Sequence, residues 1–326
     1  MNDIDHATIP VSAINPADTG FRITSPEFDI PGLALSISQI GLTTPPLILE
    51  KDQGYVMVSG FRRFEAVISL GWEKIHCRIM RANTQDSMLN AAMNAVAQNA
   101  FQRPLDPGEL IRAVHLLGQY MDDTTLAQKS SALFNMSLNV GYLKTLAAIY
   151  RLPSQALSLL DKGQLSIKSA KAITRFDMET AKAFLTLFSK IHISSGKQME
   201  IMTLAREIAA LENTTVQDLF NASKLLKAND LCPPSGHKDL AALGNRIRAS
   251  LLKQRFPELE QARQKAGVHL KKLKLDQNLK LILPENFESM IYSIHLGFTS
   301  RDDFKERLKT LETLLDHPDF IEILNR

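Results

Sequence analysis

The spacing of apolar residues changes near residue 86, and that change restricts the fold more than any other feature. Before it, short β-like and helix-like stretches alternate, with turn residues between them. Leu33, Ile37 and Ile40 share one helical face that ends at Gly41. Pro45-Pro46 forces extension, Leu47-Ile48-Leu49 reads as a strand, residues 51–54 as a turn, and Tyr55 to Val58 as the returning strand. Ser59-Gly60 then opens a helix over 61–70, and residues 75–79 form the next strand. After residue 86 the pattern is almost purely helical. Asp106-Pro107-Gly108-Glu109 is a helix start with an acidic cap, proline at the first position and glutamate at the third. Further helices are predicted over 124–134, 137–150, 154–160, 166–175, 179–190 and 197–211, up to a Cys232-Pro233-Pro234 linker. Beyond it come a basic helical stretch, strand-like residues 279–283 and 292–298, and an amphipathic helix over 301–315. A length of 326 residues exceeds what one hydrophobic core usually organises. The expectation is therefore a multidomain chain, mainly α with α/β parts. Its domains are an α/β unit over 1–105, an all-α unit over 106–230 and an α+β unit over 236–326.

Several function classes drop out. No run of apolar residues is long enough to span a bilayer and the N-terminus is acidic, so the expected setting is the cytoplasm, with no membrane. Two cysteines far apart, Cys77 and Cys232, give neither a disulfide scaffold nor a zinc site, and the eight histidines show no metal-binding spacing. Cys77 sits in an apolar strand and is expected to be a buried, inert thiol. The net charge of +3 hides an uneven distribution: residues 245–274 hold nine basic residues against two acidic ones. That run is either a solvated helix face or a sequence-independent contact to phosphates, centred on Lys271, Lys272 and Lys274.

Two motifs point to chemistry. In Ser59-Gly60-Phe61-Arg62-Arg63 a strand, a glycine and a helix start coincide with two adjacent arginines. Free N–H groups at a helix start favour an anion, and arginine adds charged hydrogen bonds. The same residues also suit a solvated basic turn before an ordinary helix. The motif is neither a GxxxxGK[ST] loop nor a GxGxxG fingerprint. The helices over 124–150 suggest a helix-turn-helix with Asn135-Met136 in the turn. In it Ser137, Asn139, Tyr142, Lys144 and Thr145 would reach bases or phosphates of double-stranded DNA. An ordinary helical bundle is the other reading of that stretch.

Four stretches in order resemble the ParB family of chromosome and plasmid partition proteins. Residues 36–45, running through Gly41-Leu42 to Pro45, resemble the family's first box, and Ser59 to Arg63 its second. Gln98 to Pro107 is similar to its third, and the run from Leu152-Pro153 to Ser166 to the segment after its DNA-binding helices. The resemblance implies a ParB/sulfiredoxin-like N-terminal domain that holds CTP with Mg2+ and controls a clamp on DNA. Gly60, Arg62 and Arg63 would grip the triphosphate beside Ser59, Thr43 and Thr44 would border the pocket, and Gln98 and Asn99 would belong to the third box. It also implies a homodimer, closed through residues 236–326, and a ParA-like ATPase partner. Phe61 and Gln98 stand where the family pattern has acids, and the box-three arginine falls on Gln102 unless the register slips to Arg103. Slow or undetectable CTP hydrolysis is therefore expected. Two alternatives remain at this stage: a transcriptional or plasmid regulator with a degenerate nucleotide pocket, and a small-molecule nucleotide-dependent enzyme on the same fold. Sulfiredoxins place a reactive cysteine at the glycine turn, where this chain has Ser59-Gly60-Phe61.

Overall fold

The computed structural model describes residues 4–25, 29–52, 54–81, 85–222, 237–275, 278–284 and 291–324. Cys232 and the Pro233-Pro234 linker lie outside these. Two compact units result, one of residues 1–202 with 215–244 and the other of residues 203–214 with 245–326.

The first unit opens with strand β1 (Ile4–Pro10), helix α1 (Ile30–Ile40) and the hairpin of β2 (Leu47–Lys51) and β3 (Gly54–Ser59), followed by helix α2 (Phe61–Ser69) and strand β4 (Lys74–Arg81). Leu47, Ile48 and Leu49 are fully buried, as a continuous apolar run in a central strand requires. The strand order is β1-β4-β2-β3. β4 lies parallel to β2, so the chain crosses back over the hairpin through α2. β1 pairs antiparallel with β4 along its whole length, from Ile4 opposite Met80 to Pro10 opposite Lys74. The sequence pattern does not announce β1, because only Ile9 in it is buried. Its register is held by the backbone ladder at an edge rather than by an apolar face. Ile48, Met57, Phe64, Val67, Ile75 and Cys77 form the core between sheet and helix. Cys77 is fully buried and desolvation pushes its thiol up to about 12, so it is inert as expected.

Helices fill the rest of this unit: α3 (Gln85–Ala100), α4 (Pro107–Leu117), α5 (Asp123–Phe134), α6 (Val140–Tyr150), α7 (Gln155–Asp161), α8 (Ile167–Ile173), α9 (Met178–Ser189), α10 (Ser195–Leu211), which continues into the second unit, and α11 (Val216–Ala222). The start of α4 is fixed by charge. Glu109 is 1% exposed, and its carboxylate accepts from the Asp106 N–H at 3.0 Å and from both terminal nitrogens of Arg103 at 2.8 and 2.7 Å. One turn on, Arg112 makes a two-point pair with Asp161 of α7 and donates to the Ile23 carbonyl at 3.3 Å. This pair spans 49 residues of sequence and joins α4 to α7, while the bond to the Ile23 carbonyl ties α4 to the N-terminal α/β part.

Beyond α11 the chain forms α12 (His237–Arg255), whose first turns still belong to the first unit, then α13 (Pro257–Lys272), β5 (Leu279–Ile282), β6 (Ser293–Leu296), α14 (Arg301–Leu315) and α15 (Pro318–Leu324). In the second unit β5 and β6 pair antiparallel, and Leu273, Leu279, Leu281, Leu314, Phe320 and Ile323 form its small core. Part of the basic run is neutralised locally: Lys253 pairs with Glu260, Arg255 with Glu207, and Lys272 with Asp319 at 3.5 Å. Lys271 and Lys274 are exposed.

Gly108 sits where helix propensity and packing disagree. A β carbon there would lie 1.9 Å from Asp161 Oδ1. Propensity alone favours alanine over glycine by about 1 kcal/mol, whereas forcing the Arg112–Asp161 pair apart costs about 1–3 kcal/mol or more. Gly108→Ala is therefore expected to lower stability in urea denaturation, and an unchanged or raised stability would show that the pair does not fix this junction.

Candidate functional site

The passage from β3 into α2 is made at Gly60, which adopts φ 93° and ψ 22°. A side chain is excluded on two grounds. The conformation is left-handed, and a β carbon would sit 2.9 Å from Pro46 Cβ and 3.0 Å from Arg63 Nη2. The extended Pro45-Pro46 stretch that leads into β2 therefore lies directly against the turn. The first helical hydrogen bond runs from the Phe64 N–H to the Gly60 carbonyl at 3.0 Å. The N–H groups of Phe61, Arg62 and Arg63 precede it and have no acceptor within the helix.

This turn opens into a cleft of about 260 Å3. One wall is Ser59, Gly60, Phe61, Arg62 and Arg63, and the facing wall is Gln98, Asn99, Gln102 and Arg103 at the end of α3. Phe21, Ile23, Leu33 and Val58 add apolar lining, with Thr24 beside them. Six sequence-predicted residues, Ser59, Gly60, Arg62, Arg63, Gln98 and Asn99, come together here from segments some forty positions apart. Thr43 and Thr44 are exposed and are not among the lining residues. Thr44 acts instead through its carbonyl, which accepts from Arg63 Nη1 and sets the direction of that guanidinium.

Gln98 holds the two walls together. Its Oε1 accepts from Ser59 Oγ at 2.5 Å and from Arg78 Nη2 at 3.0 Å. Both lone pairs of that amide oxygen are thereby used. Asn99 turns back on its own helix, donating to the Ala95 carbonyl at 2.7 Å. Phe61, in place of the family's acid, lies under Arg22, whose guanidinium carbon is 5.6 Å from the ring centroid and whose Nη1 pairs with Glu65 at 2.5 Å. Arg103, in the position where the slipped register puts the box-three arginine, lines the cleft while its guanidinium is paired with Glu109.

The charges are unevenly matched. Arg22, Arg103 and Arg112 each face a carboxylate, while Arg63 and Arg78 are held by neutral oxygens. Burial, and then the nearby charge of Arg78, push Arg63 below the ordinary arginine range. An anion in the cleft would relieve that repulsion. Arg78 was not legible as a site residue; the one signal is its place on β4 between inward Cys77 and Ile79, which turns it to the opposite face toward α3.

The second predicted site differs in detail from its expectation. α6 begins at Val140, not near 137, because Asn139 is its cap: Asn139 Oδ1 accepts from the Tyr142 N–H at 2.8 Å. Ser137 lies in the preceding turn with its Oγ 2.9 Å from Ser131 Oγ, and Asn135 carries the turn in a left-handed conformation at φ 53°. Lys144 is exposed on α6 with Tyr142 and Thr145 half-buried beside it, and Thr145 Oγ1 donates to the Gly141 carbonyl.

Gln98→Leu leaves both the Ser59 hydroxyl and the Arg78 guanidinium without their acceptor, and is expected to cost about 1–3 kcal/mol. Ser59→Ala leaves Arg78 still bonded to Gln98 and should cost only about 0.5–1.5 kcal/mol. Chemical denaturation of the two variants checks the order; equal losses would mean that Gln98 is not the shared anchor of the two walls.

Residues 1–96 match the family model described as the ParB N-terminal domain. The chain is 26% identical over 175 residues to the chromosome-partitioning protein Spo0J of Thermus thermophilus, covering 52% of this chain and 60% of that protein. It is 28% identical over 248 residues to a nucleoid occlusion protein of Geobacillus thermodenitrificans, covering 74% of this chain and 79% of that protein. The solved structure of the C-terminally truncated chromosome-partitioning protein ParB from Caulobacter crescentus, complexed with CTP-gamma-S, is similar at 22% identity. The likeness covers 55% of this chain and 97% of that one, with a TM-score of 0.26. The chain spans about three fifths of the length of the curated partition proteins it matches. The resemblance to ParB-type partition proteins is borne out at the level of the N-terminal domain.

Proposed function

With a ParB-type N-terminal domain as the premise, we propose that this chain is a DNA-binding partition protein in which CTP, held in the Gly60 cleft, controls engagement of double-stranded DNA. The observation that supports this most is the meeting of the α2 N-terminus, Arg62, Arg63 and Gln98 in one cleft. The N-terminal N–H groups of α2 and the two guanidiniums bind and orient a phosphate chain, while Phe21, Ile23 and Leu33 offer apolar surface to a base or sugar. Among the described residues that line the cleft no side chain is poised as a general base, since Phe61 lies under Arg22 and Gln98 is a neutral amide saturated at its oxygen. Hydrolysis is accordingly slow or absent. Magnesium, which the resemblance implies, finds no carboxylate on the cleft wall among the described residues.

The route from cleft to DNA runs through two ion pairs. Arg103 lines the cleft and holds the cap of α4 through Glu109, and Arg112 of α4 holds both Ile23 of the cleft and Asp161 of α7. A ligand that moves either cleft wall acts on α4 and, through its packing, on α6. In this reading α5 and α6 form a helix-turn-helix in which Lys144, Tyr142 and Thr145 face the duplex. Ser137 and Asn139 contribute at the start of α6 with whatever hydrogen-bonding capacity the cap leaves. Lys271 and Lys274 add phosphate contacts, with Lys272 partly committed to Asp319. Residues 236–326 serve dimerisation, which the exposed Ile294, Phe298, Phe304 and Leu308 support. A ParA-like ATPase is the expected partner of such a dimer.

Calorimetry with the four ribonucleoside triphosphates is expected to show CTP bound most tightly, and Arg63→Ala to weaken it by about 1.5–3 kcal/mol. Random duplex DNA should bind at low salt with or without the nucleotide. Equal affinity for all four nucleotides would remove CTP from the account, and failure to bind duplex DNA would remove the partition role.

A further inference from the structure

The charge and hydrogen-bond pattern of the cleft disagrees with a magnesium-dependent site. Mg2+ in nucleotide sites is held octahedrally by substrate phosphates together with one or two carboxylates. Among the described residues, the carboxylates that pair with residues around the cleft are already engaged: Glu65 holds Arg22, and Glu109 holds Arg103 and the Asp106 N–H. At the position where the family pattern has an acid, Gln98 offers an uncharged oxygen with both lone pairs occupied, by Ser59 and by Arg78. Asn99 adds only a neutral amide whose nitrogen is tied to Ala95. Behind Gln98 stands Arg78 and across from it Arg63, each resting on a neutral acceptor, so the local field is positive before any ligand enters. The depressed affinity of Arg63 for its own proton, caused by burial and by Arg78, reports the same field. A divalent cation placed there meets repulsion and few donors, and a polyphosphate meets attraction.

We propose that the cleft binds a polyphosphate chain without a divalent cation, the guanidiniums of Arg63 and Arg78 supplying the positive charge that a metal ion would supply elsewhere. This rests on the nucleotide reading above, and goes beyond it by making the site independent of metal. Gln98 is then a positioning residue. It holds Arg78 behind the cleft wall without neutralising its charge, which a glutamate in the same place would not do. Such a site is suited to holding a nucleotide as an effector rather than turning it over, because no metal is present to draw charge from the phosphate that would leave.

The test is calorimetric titration of the full chain with CTP and, separately, with inorganic tripolyphosphate, each in excess EDTA and in excess Mg2+. The expected result is a CTP dissociation constant that changes by less than about threefold between the two conditions, and tripolyphosphate binding in EDTA. Gln98→Glu, which keeps size and both hydrogen bonds, should weaken CTP by about tenfold or more in EDTA and recover in Mg2+. CTP binding that requires Mg2+ in the unaltered chain overturns the inference and leaves the nucleotide reading standing. Tripolyphosphate bound in EDTA with no CTP binding in either condition upholds the metal-free anion site and overturns the nucleotide reading. No binding of either ligand overturns both, and a Gln98→Glu chain that binds in EDTA as the unaltered chain does overturns the role given to Gln98.

Discussion

The approach of Pro46 to Gly60 is the contact on which the rest of this site depends. A β carbon at residue 60 would lie 2.9 Å from Pro46 Cβ, so the turn can pass only as glycine, in a left-handed conformation that other residues adopt at a cost of about 1–2 kcal/mol. Because the turn passes there, α2 starts at the mouth of the cleft instead of beyond it, and Arg63 reaches back to the Thr44 carbonyl just before Pro45-Pro46. The same two segments thus set the path of the backbone and the aim of the guanidinium. Sheet, turn and site are one construction: β2 and β3 bring Pro46 and Ser59 together, and β4 brings Arg78 to the Gln98 that closes the cleft.

Charge divides the arginines of the N-terminal part by role. Arg22, Arg103 and Arg112 face Glu65, Glu109 and Asp161, and their work is to join elements distant in sequence. Of these, Arg112–Asp161 is the pair with both partners largely buried, and a pair of that kind is costly to break singly, by about 3–5 kcal/mol, although the pair as a whole adds little net stability. Arg63 and Arg78, on neutral partners, do not serve that purpose. Two like charges that rest on neutral oxygens among the described residues are a standing cost to the fold, and such costs concentrate where a ligand is meant to arrive.

How much of this was legible in the sequence follows from the range of each interaction. The Ser59-to-Arg63 turn, the capped start of α4 and the burial of Cys77 rest on neighbours within a few residues or on apolar runs, and all were readable. β1 was not, because its one buried side chain gives no periodicity and its partner lies about seventy positions away. The engagement of Gln98 by Ser59 and Arg78 was equally hidden, since it joins three elements through a single amide oxygen. The start of α6 was misplaced by a local effect. Ser137 and Asn139 are both good cap residues, and the left-handed Asn135 together with the Ser130 Oγ bond to the Leu138 N–H decides for Asn139. In the second unit α15 is only seven residues long, too short for a helical period, and it is pinned by Phe320 and Ile323 rather than by its own pattern.

The central claim is that a phosphate chain occupies the cleft between the start of α2 and the end of α3. Hydrogen–deuterium exchange of the full chain with and without CTP addresses it most directly, because the N–H groups of the first turn of α2 precede the first helical hydrogen bond and a bound phosphate would protect them. The account predicts new protection centred on residues 59–64 and 98–103. Protection confined to other parts of the chain, or none at saturating CTP, would contradict it.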